Sequence, residues 1–257
     1  MTQRQPNICG PRHMSCVCRD TCRRHPTVGR SSRFAKGWCW VVSYQLLAGM
    51  PDDAQRSLLA LCRRRRFRRG EVVFHDGDPG ETLHLVAKGH FAVRVTTPLG
   101  DTAMLRVYQP GDCFGELAAL EPAPRAGTVV ALDEADTLSL SHAQLDELRA
   151  KHPGVDHLLT AALIGEVRRL ARALVEALYL PVDRRLWRRL GELAEIYADG
   201  RPTVTVPLTQ EDLAQLAGTT RPSANRVLRA GEAVGVVRMA RGRIEVVDLE
   251  AARARGR

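Results

Sequence analysis

The chain has 257 residues, 44% of them hydrophobic and 5% aromatic, and carries 38 Lys and Arg against 29 Asp and Glu, a formal charge of +9. That apolar content suffices for a packed core and excludes wholesale disorder. No window approaches about 18 consecutive apolar residues, which excludes a transmembrane helix.

The opening residues lack the apolar run of a secretory signal, so the expected compartment is the cytoplasm, with no membrane partner. Residues 1–45 hold eight basic residues and one acid, Asp20, with Pro6, Pro11 and Pro26 among them, and read as a basic, disordered arm. Of the seven cysteines, four fall within fourteen residues of this arm, Cys9, Cys16, Cys18 and Cys22. Clustered thiolates suit soft metals, which makes a metal- or redox-sensing protein the alternative reading. No C-x2-C pair is present, however, and the spacing matches no common zinc pattern, so no metal ligand is assigned. The odd cysteine count argues against a disulfide framework. Cys62 and Cys113 lie among apolar residues and read as small core hydrophobes.

From residue 46 to 154 the texture changes. Pro51-Asp52-Asp53 opens a short helix with Leu58, Leu59 and Leu61 on its apolar side. The arginine run Arg63 to Arg69 (broken by Phe67) then reads as a solvated face ahead of the first strand. Short β-rich runs follow, at Val72–Phe74, Leu83–Val86, Phe91–Val95, Met104–Tyr108, Thr128–Leu132 and Thr137–Leu140. Turn signals such as Asp76-Gly77-Asp78-Pro79-Gly80 and Pro110-Gly111-Asp112 separate them. Many short strands at this rhythm predict an all-β roll or barrel. Ser141 is placed to cap a helix running to Arg149.

Within the roll, Gly115-Glu116-Leu117-Ala118 and Pro124-Arg125-Ala126 stand out. A turn at Gly115 presents backbone N–H groups and a carboxylate, and Arg125 follows nine residues after Glu116. A carboxylate suits a ribose hydroxyl and an Arg fork suits a phosphate. An internal Glu116–Arg125 salt bridge accounts for the pair equally well.

Val155 to Leu180 is the longest helical pattern. Leu159, Leu163, Val167, Leu170, Leu174 and Leu178 recur at spacings of three and four, an apolar stripe of coiled-coil type that predicts a homodimer seam. Pro181 ends it. Residues 183–198 form an amphipathic helix, and the chain closes with two helices and a β-hairpin.

Thr209 caps the first of these two helices, Gly218 ends it in a left-handed turn, and Thr220 caps the second, with Pro222 in its first turn. Small Ala214, the sharp turn and Ala224 allow two helices to cross closely, the pattern of a helix-turn-helix. Candidate DNA contacts are Thr220, Arg221, Ser223, Asn225, Arg226 and Arg229 on the second helix and Arg241 at the tip of the hairpin, which would serve as a wing. No Ser/His/Asp set, P-loop or HExxH motif is present, so no enzyme is expected.

Taken together, residues 46 to about 250 resemble the cyclic-AMP receptor protein/fumarate–nitrate regulator (CRP/FNR) family of bacterial transcription factors. The resemblance rests on the Gly89, Gly100 and Pro110-Gly111-Asp112 turns, Phe114-Gly115-Glu116-Leu117, Pro124-Arg125, the long helix and Leu208 to Leu228. It implies an α+β chain: a cyclic-nucleotide-type β-roll over 46–154, a dimerisation helix over 155–180 and a winged helix-turn-helix over 181–257. It implies an effector site at Gly115, Glu116, Leu117, Arg125 and Ala126 for cyclic AMP or another cyclic nucleotide. Double-stranded DNA with a palindromic operator, a second copy of the chain and RNA polymerase are the implied partners. The chain departs from the family pattern in three places. Ala126 stands where nucleotide-binding members carry a Ser, and Leu170 to Leu174 offers no polar pair for a base. Pro222 replaces a frequent Glu of the recognition helix and implies a different target sequence. The family's iron–sulfur branch has a further Cys late in the roll, whereas Thr137 to Leu140 contains none.

Overall fold

The computed structural model describes residues 44, 47, 50–120 and 123–257. Cys9, Cys16, Cys18 and Cys22 and the expected arm up to residue 43 lie outside the described residues.

Helix α1 (Asp52–Leu61) opens with two aspartates, which favour the positive end of its dipole. Of the three leucines expected on its apolar side, Leu58 is buried with Ala54 and Leu59 packs partly buried against the same cluster, whereas Leu61 is exposed. The arginine run is not a segment ahead of the first strand; it is the first strand. β1 (Arg63–Phe67) pairs antiparallel with β8 (Ala135–Ser141), from Arg63 opposite Ser139 to Phe67 opposite Ala135. It lies at a sheet edge, where charged side chains remain in water and discourage pairing with another chain. Phe67 anchors it, meeting Phe91 edge-on at 5.6 Å. Arg64 bonds Asp136 at 2.5 Å.

The roll consists of two four-stranded antiparallel sheets. One has the order β1-β8-β3-β6, with β3 at Thr82–Lys88 and β6 at Cys113–Phe114. The other has the order β2-β7-β4-β5, comprising Val72–Phe74, Thr128–Ala131, Phe91–Thr96 and Thr102–Tyr108. Phe67, Phe91, Tyr108, Phe114 and Val129 fill the space between the sheets. The period of two turns Leu83, Leu85 and Leu140 to the opposite face, where they meet α1, α3 (His142–Lys151) and the start of α4 (Gly154–Tyr179). Ser141 caps α3, as the sequence predicts, and Gln144 closes a capping box with it. The residues after Gly115 form a short helix, α2 (Glu116–Leu120), rather than an open turn.

Beyond Pro181 come α5 (Val182–Ile196), β9 (Val204–Val206), α6 (Gln210–Ala217), α7 (Arg221–Ala233) and a hairpin of β10 (Val237–Ala240) and β11 (Arg243–Val246). A last helix, α8 (Leu249–Arg255), was not expected; Asp248 caps it and Ala252 seats it. One apolar cluster joins Ala92, Met104 and Val107 of the roll to Leu190, Leu193 and Leu213 of this second part. Arg94 also bonds Asp212 at 2.7 Å, and Arg69 donates to the Pro207 carbonyl at 3.1 Å.

Candidate functional site

A cavity of about 330 Å³ lies between the roll and α4. Gly115, Glu116, Leu117, Arg125 and Ala126 all line it, so the structure brings the five predicted residues together. Phe74, Tyr108, Leu163, Glu166, Val167 and Arg169 complete much of the wall.

Arg125 is almost fully buried. Its Nη2 donates to both the carbonyl and the hydroxyl of Thr82, at 2.8 and 3.0 Å, and its Nη1 approaches the Gly115 carbonyl at 3.4 Å. The guanidinium lies over the Phe74 ring, 4.0 Å from its centre. Its buried Nε has no protein partner. Burial weakens its hold on its proton relative to a free Arg. The Glu116, Asp78 and Glu81 carboxylates partly offset that effect without reaching ion-pair distance, and a buried guanidinium with an unused donor is chemically suited to an anion that supplies the missing hydrogen bond.

The Glu116–Arg125 salt bridge does not form: among the described residues Arg125 has no ion pair and is held by uncharged oxygens. Burial raises the pKa of the Glu116 carboxyl, and the nearby Glu166 carboxylate raises it further. Gly115 is required where it stands. Its φ is +83°, and a Cβ there would sit 2.7 Å from Arg125 Nη1 and 2.8 Å from the Thr82 carbonyl.

Behind Thr82, the buried His84 bonds the Thr82 hydroxyl at 3.0 Å and that of Thr137 at 3.1 Å, and stacks on Phe114. Burial, assisted by Arg65 and Arg125, lowers its pKa to about 3, so it is neutral. Sequence reasoning missed Thr82, His84 and Phe74. Forty-three residues separate Thr82 from Arg125, and no local signal marks the contact.

The α4 wall also differs from expectation. The α4 residues that line the cavity come from Leu163 to Leu170 rather than from Leu170 to Leu174, and they include the charged pair Glu166 and Arg169. Glu166 bonds Arg169 at 2.6 Å and Arg106 of β5 at 3.0 Å. The stripe on this helix divides. Leu159 is only 1% exposed and belongs to the core of the roll, whereas Val167, Leu170, Leu174 and Leu178 are 64, 44, 60 and 66% exposed. Leu163 lies between, against the cavity.

In the second part, α6 and α7 form the expected helix-turn-helix. Thr209 and Asp212 make a reciprocal capping box, and Gly218 takes the left-handed cap at φ +61°. The Thr220 side chain accepts from the Ser223 N–H. Buried Ala214, Ala217 and Ala224 let the helices cross closely. Arg221, Arg226 and Arg229 are exposed, as is Arg241 at the hairpin tip, while Asn225 and Ser223 are half-buried. Arg229 pairs with Glu232 at 3.0 Å, and the Thr220 hydroxyl donates to Ser223 Oγ at 3.1 Å. Among the described residues no cluster of His, Cys, Asp and Glu is arranged to hold a metal, and no helix is long and apolar enough to cross a membrane. Burial pushes the Cys62 thiol up to about 11 and the Cys113 thiol up to about 12, as expected of packing residues.

Residues 64–152 match the family model of the cyclic nucleotide-binding domain, and residues 168–255 match that of the Crp-like helix-turn-helix domain. The chain is 31% identical over 201 residues to the cyclic AMP receptor protein of Thermus thermophilus, covering 78% of this chain and 91% of that protein. It is 29% identical over 215 residues to a CRP-like cAMP-activated global transcriptional regulator of Mycobacterium tuberculosis, covering 82% and 96% of the two chains. A solved CRP-family transcriptional regulator from Thermus thermophilus is 27% identical with a TM-score of 0.65, over 75% of this chain and 96% of that one. The c-di-GMP responsive global regulator CLP of Xanthomonas campestris, at 23% identity, shares the fold with a TM-score of 0.65 over 76% and 99% of the chains.

Proposed function

This chain belongs to the CRP/FNR family of DNA-binding transcription regulators, and from that premise we infer that it works as a homodimer whose roll cavity takes a cyclic nucleotide that sets its DNA-binding state. The observation that carries the reading is Arg125, a buried guanidinium with an unpartnered Nε at the end of a cavity that also holds Glu116.

A bound cyclic nucleotide supplies a singly charged phosphate, a ribose hydroxyl and a flat base. Arg125 would hold the phosphate, exchanging some of its bonds to neutral oxygens for charge-assisted ones. Glu116 would accept from the ribose hydroxyl once ionised. Leu163, Val167 and Leu170 offer an apolar wall to the base, with Glu166 and Arg169 beside them. The residues fit the group despite Ala126, because Arg125 is positioned by Thr82, Gly115 and Phe74 rather than by its neighbour in sequence.

Coupling to DNA runs through α4, which walls the cavity and also carries the exposed stripe Val167, Leu170, Leu174 and Leu178. Pairing that stripe with a second copy would remove a large apolar surface from water. A ligand that binds better to one arrangement of the paired helices shifts the dimer toward it, and the two recognition helices then address major grooves about one helical turn apart. Arg221 and Arg226 are the leading base or phosphate contacts, with Arg241 on the wing. Arg229 reaches DNA only by exchanging Glu232, and Thr220 and Ser223 serve the cap as well.

The test is Arg226→Ala in a fluorescence-anisotropy titration against DNA selected by the wild-type protein. A loss of about 1–3 kcal/mol per half-site with the dimer mass unchanged is expected. Unchanged affinity removes α7 as the reading helix.

A further inference from the structure

The junction between the long helix and the DNA-binding part is a place where flexibility would be expected, since Pro181 interrupts the helical run between α4 and α5. The side chains there say otherwise. Arg185, in the first turns of α5, directs four N–H groups at four backbone carbonyls from two different helix ends. Its Nη1 donates to Ala177 at 3.0 Å and to Leu180 at 3.1 Å, both at the end of α4. Its Nε donates to Ala217 at 3.1 Å and its Nη2 to Gly218 at 3.0 Å, at the end of α6 and in the turn of the helix-turn-helix.

The last carbonyls of a helix have no partner within it and carry the negative end of its dipole, so a cation that bonds them is favoured by both hydrogen bonding and charge. A guanidinium does so for two helices at once because its donors lie in one plane and point outward in different directions. The same joint is fastened a second time. Glu176 of α4 accepts from Arg188 at 2.7 Å through one oxygen and from Arg189 of α5 through the other.

We propose that Arg185 is a positioning residue for DNA recognition, a bracket that locks the turn of the helix-turn-helix to the C-terminal end of α4, with Glu176 as its second fastening. The bracket makes the end of α4 and the helix-turn-helix one rigid body. In a dimer built on α4, the spacing of the two recognition helices is therefore set by the pairing of the long helices, not left to a flexible linker. Arg185 touches no base and no phosphate in this role. Its effect lies in how well two half-sites are engaged together, because a rigid spacing that matches the DNA raises the effective concentration of the second half after the first has bound.

The experiment compares the full-length wild type with Arg185→Met, which keeps the aliphatic stem and removes the donors, and with Arg185→Lys and Glu176→Gln. DNA selected by the wild type from a random pool is used both as the complete two-half-site duplex and as a single half-site. Wild-type protein gains from the second half-site, and Arg185→Met is expected to lose about tenfold or more of that gain while binding the single half-site as before. Lys presents its donors from one point and cannot span both helix ends, so Arg185→Lys behaves like Met. Glu176→Gln, which leaves Arg185 in place, loses a smaller part of the gain and remains informative if Arg185→Met does not fold. The proposal is overturned if Arg185→Met and Glu176→Gln keep the full two-half-site gain. It is overturned equally if Arg185→Met weakens both duplexes alike, which assigns Arg185 to the fold of the DNA-binding part, or if Lys restores the gain, which makes charge rather than the bracket the cause.

Discussion

Two glycines of the roll share one backbone conformation and differ in what surrounds them, which allows the cavity's construction to be tested without any ligand. Gly115 and Gly77 both have φ of +83°. A Cβ on Gly77 meets nothing within 4 Å, whereas a Cβ on Gly115 meets Arg125 Nη1 at 2.7 Å and the Thr82 carbonyl at 2.8 Å. Placing an L-residue in the left-handed region costs about 1–2 kcal/mol at either site. Gly115→Ala adds an overpacking cost of about 1–3 kcal/mol, because the carbonyl of β3 cannot retreat and Arg125 must. The two variants are therefore separated by about 1–3 kcal/mol, and at roughly 2–4 °C per kcal/mol the melting midpoints differ by several degrees, with Gly115→Ala the lower. Differential scanning calorimetry of both variants beside wild type measures this. Gly115→Ala also loses any rise in melting temperature that a cyclic nucleotide gives the wild type, while Gly77→Ala keeps it. Equal melting of the two variants would refute the close approach of Arg125 to Gly115, and with it the account of how that guanidinium is held.

The exposed and buried parts of the α4 stripe give opposite outcomes to one substitution. Leu174→Asp, at an exposed position, yields folded monomers in analytical ultracentrifugation, whereas Leu159→Asp, inside the roll, prevents folding; a dimeric Leu174→Asp protein removes the stripe as the seam. His84 gives a pH signature. Its folded pKa of about 3 lies below the ordinary 6.5, so the unfolded chain binds more protons between those values and stability falls as pH drops through that window. His84→Phe keeps a flat ring against Phe114 and flattens this acid limb in urea titrations at a series of pH values; an unaltered limb places the proton uptake elsewhere.

Much of this architecture is legible in local chemistry. Thr209 with Asp212, Gly218 and Thr220 mark the ends of the helix-turn-helix because capping depends on residues within a few positions of each other. The long helix runs one residue off the predicted bounds, since its stripe and Pro181 are both local signals. Strand β1 was hidden because four consecutive arginines look like solvated loop, and only its partner β8 and the anchor Phe67 make it a strand. Helix α8 is too short to show a stripe of its own. The cavity was legible as a set of residues and not as an arrangement. Gly115, Glu116 and Arg125 were identified, but Thr82, rather than Glu116, holds Arg125, and Glu166 with Arg169 lines the α4 wall. Each of these depends on contacts distant in sequence. The net charge of +9 was the weakest guide, because most of it lies in residues 1–45, whereas the DNA-binding argument rests on where Arg221, Arg226 and Arg241 project.

The central claim is that the cavity ending at Arg125 receives a cyclic nucleotide, and a calorimetric titration of cyclic AMP into the full chain tests it most directly. The account predicts saturable heat with one site per chain and its loss in Arg125→Ala protein that circular dichroism shows to be folded at the titration temperature. No heat from wild-type protein at millimolar cyclic AMP or cyclic GMP, or equal heat from Arg125→Ala, would contradict it.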